Sequence, residues 1–195
     1  FADKVFFCNS GAEANEAAIK LARRYSHDKY GAGRFEIVTM KNSFHGRTIA
    51  TLTATGQEKV QKGYEPLLTG FSYVAFNNLK ELERAVTDKT AAIMLEPIQG
   101  EGGIYVADRE YLTQVKDLCS QKDVLLIFDE VQTGVGKTGV VGLLKGKLPG
   151  RVVGERREPA ADAHPRRRVR RAHHPVGVHR HPLRHVVGVG VEVAV

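Results

Sequence analysis

Cysteine is scarce in this sequence. Among 195 residues only Cys8 and Cys119 are cysteines, far apart, with no C-x-x-C pair and no histidine at metal-ligand spacing. No disulfide framework can be built from them, and no zinc site is expected. Cys8 lies in an apolar run and Cys119 on an apparent helix face, so both are expected to be buried free thiols, as suits a reducing compartment. Long apolar runs are also missing. The longest strongly apolar run, Val124 to Phe128, has five residues, against the roughly 18 or more that a membrane span requires. The chain therefore reads as soluble, with no membrane partner. Neither an initiator methionine nor a signal-like or transit-like segment opens the chain at Phe1, and the first residues already read as a core strand, so the true N-terminus is expected to lie upstream.

Charge of one sign is concentrated in one place. The formal net charge is +7, which would ordinarily point to nucleic acid or an acidic membrane surface. Residues 151–195 hold ten Arg and no Lys against three Glu and one Asp, a net +6, while the first 150 residues carry 19 bases and 18 acids, a net +1. The excess belongs to the tail, and the body has the balance of an enzyme domain with no nucleic-acid partner.

Strand and helix patterns alternate through the body. Val5–Cys8 reads as a short buried strand. After Asn9-Ser10-Gly11 a helix follows with Ala14, Ala17, Ala18, Leu21, Ala22 and Tyr25 on one face. Ser10 and Glu13 form the S-x-x-E box that marks a helix start. Phe35–Met40 is the next strand, Asn78 with Glu81 opens a helix, and Ala91–Leu95 is a further strand. Asp108 caps a helix carrying Leu112, Val115, Leu118 and Cys119 that runs into the strand Val124–Phe128. Such alternation predicts an α/β domain with a mostly parallel central sheet flanked by helices, in which ligands gather at the carboxyl ends of the strands. The polar clusters lie just past those ends: Asn9 to Gly11, Asn42 to His45, Glu96 to Gly103, and Asp129 to Gln132.

Beyond Gly139 the pattern dissolves. Residues 151–195 contain 11 Val, 10 Arg and 6 His but no Phe, Tyr, Ile, Lys, Asn, Gln, Ser, Thr, Met or Cys. The absent set includes the residues of the most A/U-rich codons, while Arg, Ala, Pro, Gly and Val are what a GC-rich message yields out of frame. The chain is therefore divided into a body at 1–139 and an aberrant tail at 140–195, read as a frameshift product. A genuine disordered basic tail is the competing reading, although such tails usually mix Lys and Ser with Arg. His173-His174 has no spacing that specifies a metal site.

Four clusters in the body could carry chemistry. Ser10-Gly11-Ala12, between a strand and a capped helix, offers free backbone N–H groups and a positive dipole end to an anion, though an ordinary capped turn has the same composition. Phe44-His45-Gly46-Arg47 puts an aromatic face, an imidazole and a guanidinium on one loop; the aromatic could stack on a flat ligand and the Arg grip a carboxylate, or Phe44 could be core and Arg47 a solvated charge. In Glu96-Pro97-Ile98-Gln99-Gly100-Glu101-Gly102-Gly103, two acids and three glycines suit a backbone that passes close to a ligand. Asp129-Glu130 ends the most hydrophobic strand, and a carboxylate delivered there from a dry core wants a metal, a protonated ring nitrogen or an Arg. One tempting motif fails: a P-loop ending at Gly136-Lys137-Thr138 requires glycine at position 131, where Val131 stands.

Together the four clusters resemble the class III, or ω-aminotransferase, branch of the fold-type-I pyridoxal-phosphate enzymes. The stretches that carry the resemblance are Asn9 to Ala17, Ser43 to Thr48, Glu96 to Gly103 and Ile127 to Gly134, in the family's order, within residues 1–139. The wording Phe44-His45-Gly46-Arg47-Thr48 is most similar to the branch acting on N-acetylornithine in arginine biosynthesis, with the ornithine branch next. The resemblance implies the large cofactor-binding domain of that fold and transfer of the δ-amino group of N-acetylornithine to 2-oxoglutarate through pyridoxal 5'-phosphate. It implies that Gly11 and Ala12 bind the cofactor phosphate, that Phe44 stacks on its ring, and that Asp129 pairs with the ring nitrogen. Gln132 then binds the 3-hydroxyl oxygen, with Glu130 and Val131 beside it in the cofactor motif. Arg47 is implied to hold the substrate carboxylate, and Glu101 to help sort amino donors from the 2-oxo acid. Small-molecule amino acid and 2-oxo acid partners, a homodimer in the intact family, no metal, and a plastid, mitochondrial or cytoplasmic setting follow from the same resemblance.

The departure is as informative. The family's Schiff-base lysine falls on a loop corresponding to the neighbourhood of Glu158, where there is no lysine; the last lysine of the chain is Lys147. Lys145 and Lys147 lie too close to Asp129 to take its place. The catalytic nucleophile is therefore expected to be absent and the chain impaired as a catalyst, which leaves a non-catalytic cofactor-binding or interaction remnant as the alternative.

Overall fold

The computed structural model describes residues 4–134, 137, 185–188 and 191–194. The expected boundary after residue 139, the neighbourhood of Glu158 and His173-His174 lie outside the described residues. In chain order the elements are β1 (Lys4–Phe6), α1 (Gly11–Tyr30), β2 (Glu36–Met40), α2 (Ile49–Ala54), α3 (Glu58–Gln61), β3 (Phe71–Val74), α4 (Leu79–Ala85) and β4 (Thr90–Leu95). They continue with β5 (Ile98–Gln99), β6 (Tyr105–Val106), α5 (Arg109–Lys122), β7 (Leu125–Asp129), β8 (His185–Gly188) and β9 (Val191–Ala194).

Seven strands form one sheet in the order β1-β8-β9-β7-β4-β2-β3, and β5 and β6 make a separate two-stranded ribbon. β3, β2, β4 and β7 pair in parallel, as do β1 and β8. β9 runs antiparallel to both of its neighbours. The sheet is thus mostly parallel and helix-flanked, as the alternation of the sequence predicts, and two of its strands come from the Arg/Val/His-rich segment.

Strand alternation sorts side chains between two layers. Val38, Ile93, Leu95, Leu126 and Phe128 face α4 and α5, meeting Leu82, Tyr111, Leu112, Val115 and Leu118. Their neighbours Ile37, Ala92, Met94, Leu125 and Ile127 face α1 and α2, where Ala14, Ala18, Ala22, Ala50 and Ala54 cover them. Alanines on the inner face of α1 let its backbone approach the sheet closely. Two residues further along each strand, the same alternation carries Glu96 after Met94 and Asp129 after Ile127 onto the α1 side, at the carboxyl ends of β4 and β7.

The start of α1 is built as the sequence predicts. Ser10 Oγ accepts the Glu13 N–H at 3.2 Å, and the Glu13 carboxylate reaches back to accept the Asn9 N–H at 2.6 Å. The helix ends at Gly31, whose φ of 87° closes the last turn. At that far end Lys29 Nζ donates to the Asp123 carboxylate at 2.8 Å and Tyr30 donates to the same carboxylate, tying the end of α1 to the end of α5.

Three expectations are corrected. β1 is an edge strand, so Val5, Phe6 and Phe7 are exposed, Phe7 by 80%, and do not form a core strand. Cys8, just past that edge, is only half-buried, whereas Cys119 is buried; both are free thiols. The buried face of α1 is rotated from the predicted stripe: Asn15, Ile19 and Ser26 are buried beside Ala14, Ala18 and Ala22, while Ala17, Leu21 and Tyr25 sit at its margin.

Candidate active site

At the carboxyl ends of β4 and β7 the start of α1 and the loop after β2 enclose a cavity of about 300 Å³. Gly11, Ala12, Phe44, Arg47, Asp129, Val131 and Gln132, all singled out in the sequence, line it, and so do Asn15, His45, Gly46 and Glu96. Two predicted residues stand apart. Glu130 does not line this cavity; its carbonyl accepts the N–H groups of Thr133 and Gly134, which turns the chain after β7. Glu101 is exposed and lines a second cavity with Lys41, Asn42, Gln57, Glu58 and Lys59. Between Glu96 and Glu101 the chain passes through the β5 strand.

Asp129 is the fixed point of the site. Its carboxylate is 5% exposed. Oδ2 accepts from Asn15 Nδ2 at 2.8 Å and from His45 Nδ1 at 2.8 Å, while Oδ1 accepts the Val131 N–H at 3.1 Å. A carboxylate only accepts, so Nδ1 of His45 carries the proton in this arrangement. Asn15 Nδ2 also donates to the His45 carbonyl at 2.8 Å, and the His45 N–H donates to Thr55 Oγ1 at 2.9 Å. The α1 helix, the β2–α2 loop and the end of β7 therefore converge on one carboxylate. Asn15 Oδ1 and His45 Nε2 are buried with no partner among the described residues.

Glu96 is 3% exposed and accepts the Phe44 N–H at 3.0 Å through Oε2, which fixes the aromatic loop to the end of β4. Burial is the main influence on its acidity. The opposing effects of His45 and of the Phe44 and Gly100 amides are outweighed by burial together with the nearby Asp129 charge, and its pKa is pushed up from 4.5 to about 7. Phe44 itself is half-buried, with the exposed Arg47 guanidinium 5.7 Å from its ring centre.

The walls fit a flat, phosphorylated aromatic ligand. Gly11 and Ala12 begin α1, where the first amides have no partner within the helix and the dipole end is positive. A Cβ added at Gly11 would stand 2.7 Å from the Val131 side chain, so any larger residue here requires Val131 to shift. The backbone at Gly100 also passes close to Gln132: a Cβ there would stand 2.7 Å from Gln132 Oε1, at the mobile end of that side chain. Phe44 supplies an aromatic face and Val131 an apolar one, and Asp129 supplies a buried anion suited to a ring N–H⁺. No cluster of three or more metal-ligating side chains occurs among the described residues.

Sequence reasoning missed Asn15 and gave no role to His45 or Glu96. The signal for Asn15 was available: it lies three and four residues before Ala18 and Ile19, a polar side chain in the apolar stripe of a helix.

Comparison with known proteins agrees with this geometry. The model of the family described as aminotransferase class-III matches residues 1–142. The chain is 61% identical over 139 residues to an acetylornithine aminotransferase of Caldanaerobacter subterraneus, covering 71% of this chain and 35% of that protein. It is 60% identical over 137 residues to the acetylornithine aminotransferase of Methanocaldococcus jannaschii, covering 70% and 34%. Among solved structures it is similar to the ornithine aminotransferase of Toxoplasma gondii, with a TM-score of 0.65 and 35% identity over 69% of this chain and 32% of that one. The chain spans about a third of the length of the curated relatives it matches.

Proposed function

Since the chain belongs to the class-III aminotransferases, we propose that the 300 Å³ cavity holds pyridoxal 5'-phosphate and that this chain is the cofactor-grasping part of an enzyme that moves the δ-amino group of N-acetylornithine to 2-oxoglutarate. The 55–61% identity to acetylornithine aminotransferases supports that donor over ornithine. The observation that carries the cofactor reading is the buried Asp129 carboxylate, clamped from two sides in a cavity that the N-terminus of α1 also lines.

When bound, pyridoxal phosphate supplies an electron sink for a carbanion beside the amino-bearing carbon. The chain's own residues prepare for that. The Gly11 and Ala12 amides hold the phosphate, Phe44 and Val131 cover the two faces of the ring, and Gln132 bonds the 3-hydroxyl oxygen. Asp129 keeps a proton on the ring nitrogen, because its own charge is desolvated and needs a positive partner. Arg47 receives a substrate carboxylate at the open side, and Glu101 acts from the second cavity on the choice between amino donor and 2-oxo acid.

Residues 140–195 do not belong to this machinery in our reading. The family match ends at residue 142, and no lysine follows Lys147. On this reading residues 148–195 supply no nucleophile to attach the cofactor and shuttle the proton, a transfer that as general acid–base catalysis alone is worth about 10²–10⁴ in rate. The test is titration with pyridoxal phosphate followed by borohydride reduction and mass spectrometry. Saturable binding that is fully reversible on dialysis, with no covalent adduct, is expected. An adduct on Lys137, Lys145 or Lys147, or no binding, would overturn the reading. Sequencing the transcript over codons 135–165 tests the tail: a one- or two-base correction that restores a strand followed by a lysine marks it as a frame error.

A further inference from the structure

The α1 helix touches the cavity twice. Gly11 and Ala12 of its first turn line it, and Asn15, 1% exposed, lines it too and reaches Asp129. Four residues separate Gly11 from Asn15, which at 1.5 Å per residue is about 6 Å of helix axis. Nδ2 of Asn15 is shared between Asp129 Oδ2 and the His45 carbonyl, both at 2.8 Å, so the amide fixes the Asp129 rotamer and the loop that carries Phe44 and Arg47 at once. Its Oδ1 has no partner among the described residues. An uncompensated amide oxygen in a dry place costs free energy, so something must favour an Asn here over an apolar side chain, and the donated bonds are that compensation.

We infer that Asn15 is a positioning residue, which makes one rigid helix set both the anion seat and the orientation of the carboxylate that faces the ligand's ring nitrogen. This rests on the reading that Asp129 pairs with that nitrogen. Loss of the amide removes one of the two donors on Oδ2, leaving His45 there and the Val131 N–H on Oδ1, so the carboxylate is aimed less firmly. The ring end of the ligand then meets a less firmly oriented partner, while the phosphate end, held by backbone amides, keeps its own.

The experiment uses the full chain with pyridoxal phosphate and, separately, inorganic phosphate as probes. The absorbance of bound pyridoxal phosphate is followed against pH to find where the ring nitrogen gives up its proton. In Asn15→Ala the affinity for pyridoxal phosphate is expected to fall about tenfold, as for loss of one hydrogen bond to a charged group, with the affinity for inorganic phosphate unchanged within about twofold and ring deprotonation moved to lower pH. Equal weakening for both probes, or none for either, overturns the inference. Asn15→Asp keeps the shape and covers the case in which the alanine variant does not fold. It should bind pyridoxal phosphate like the parent only at pH values low enough for the new carboxyl to carry a proton and donate it, and pH-independent binding would overturn the inference. Asp129→Asn separates the two readings. If it leaves ring deprotonation unmoved, the pairing of Asp129 with the ring nitrogen fails; if it moves that transition and Asn15→Ala does not, only the role of Asn15 fails.

Discussion

The two faces of the central sheet are packed by different rules. Against α4 and α5 the sheet presents Val38, Met40, Ile93, Leu95, Leu126 and Phe128, large side chains that interlock with Leu112, Val115, Leu118 and Tyr111. Against α1 and α2 the contacts are mostly alanine, and the buried polar groups Asn15, Thr39, Glu96 and Asp129 lie on this side. Interlocking bulk gives stability through area buried and cavities avoided. Small side chains bring a helix backbone within reach of the strand ends, so that an amide on the helix can touch a carboxylate on the strand. One face is packed for stability and the other for proximity.

Substitutions can break that contrast. The largest effect is expected from Phe128→Ala on the bulky face. Phe128 is 1% exposed, and truncation should cost about 3–5 kcal/mol in urea unfolding. A loss below about 1 kcal/mol would show that the bulky face is not where stability resides. Glu96 offers a pH-dependent test on the other face. Its pKa is raised in the fold, from 4.5 to about 7, so the folded chain keeps a proton that the unfolded chain releases above 4.5. Stability should therefore fall as pH rises from 4.5 to about 7, by on the order of 3 kcal/mol at most. Unfolding at pH 5.0 and 7.5 measures it: Glu96→Gln should remove this part of the pH dependence, and an unchanged difference between the two pH values would refute the assignment.

Overfilling the alanine face sharpens the comparison further. Ala22 is fully buried, and Ala22→Leu should cost about 1–3 kcal/mol by pushing α1 off the sheet. It should weaken pyridoxal phosphate binding more than Phe128→Ala does, although it is the milder change in stability; the reverse order would mean that α1 is not the element that sets the site. The smallest effect is expected at the helix start, where Ser10→Ala deletes the cap on the Glu13 amide and should cost about 1 kcal/mol. Thermal unfolding with and without ligand measures both variants.

Much of the molecule is legible in its residues. The capped start of α1, the strands β2, β4 and β7, and helix α5 each carry a local signal of periodicity or capping, and the structure places them within a residue or two of expectation. β3 escapes because Phe71–Val74 is short and half-exposed, with no run of apolar residues. α2 escapes because IATLTA has neither charged periodicity nor an apolar face; it is a helix because Thr48 caps Thr51 and because it is buried against α1. In the candidate site, residues singled out in the sequence for their distinctive chemistry, Phe44, Arg47 and Asp129 among them, line one cavity. The residues that hold them are not legible in this way, because an Asn in a helix or a Glu before a proline acquires meaning only when a second element arrives beside it. Register decides this: Asp129 reaches Asn15 because it is two residues beyond Ile127 on the same face.

The tie between Asp123, Lys29 and Tyr30 has a mechanical consequence. With 20 residues, α1 is a rod of about 30 Å. It is pinned at its carboxyl end by those side chains, while its amino end forms one wall of the cavity. On such a lever a tilt of about one degree at the pinned end sweeps the tip through roughly half an ångström, comparable to the tolerance within which a binding constellation must be held. A surface ion pair of this kind contributes little to stability by itself. Here it holds the far end of the same rod whose first turn walls the cavity.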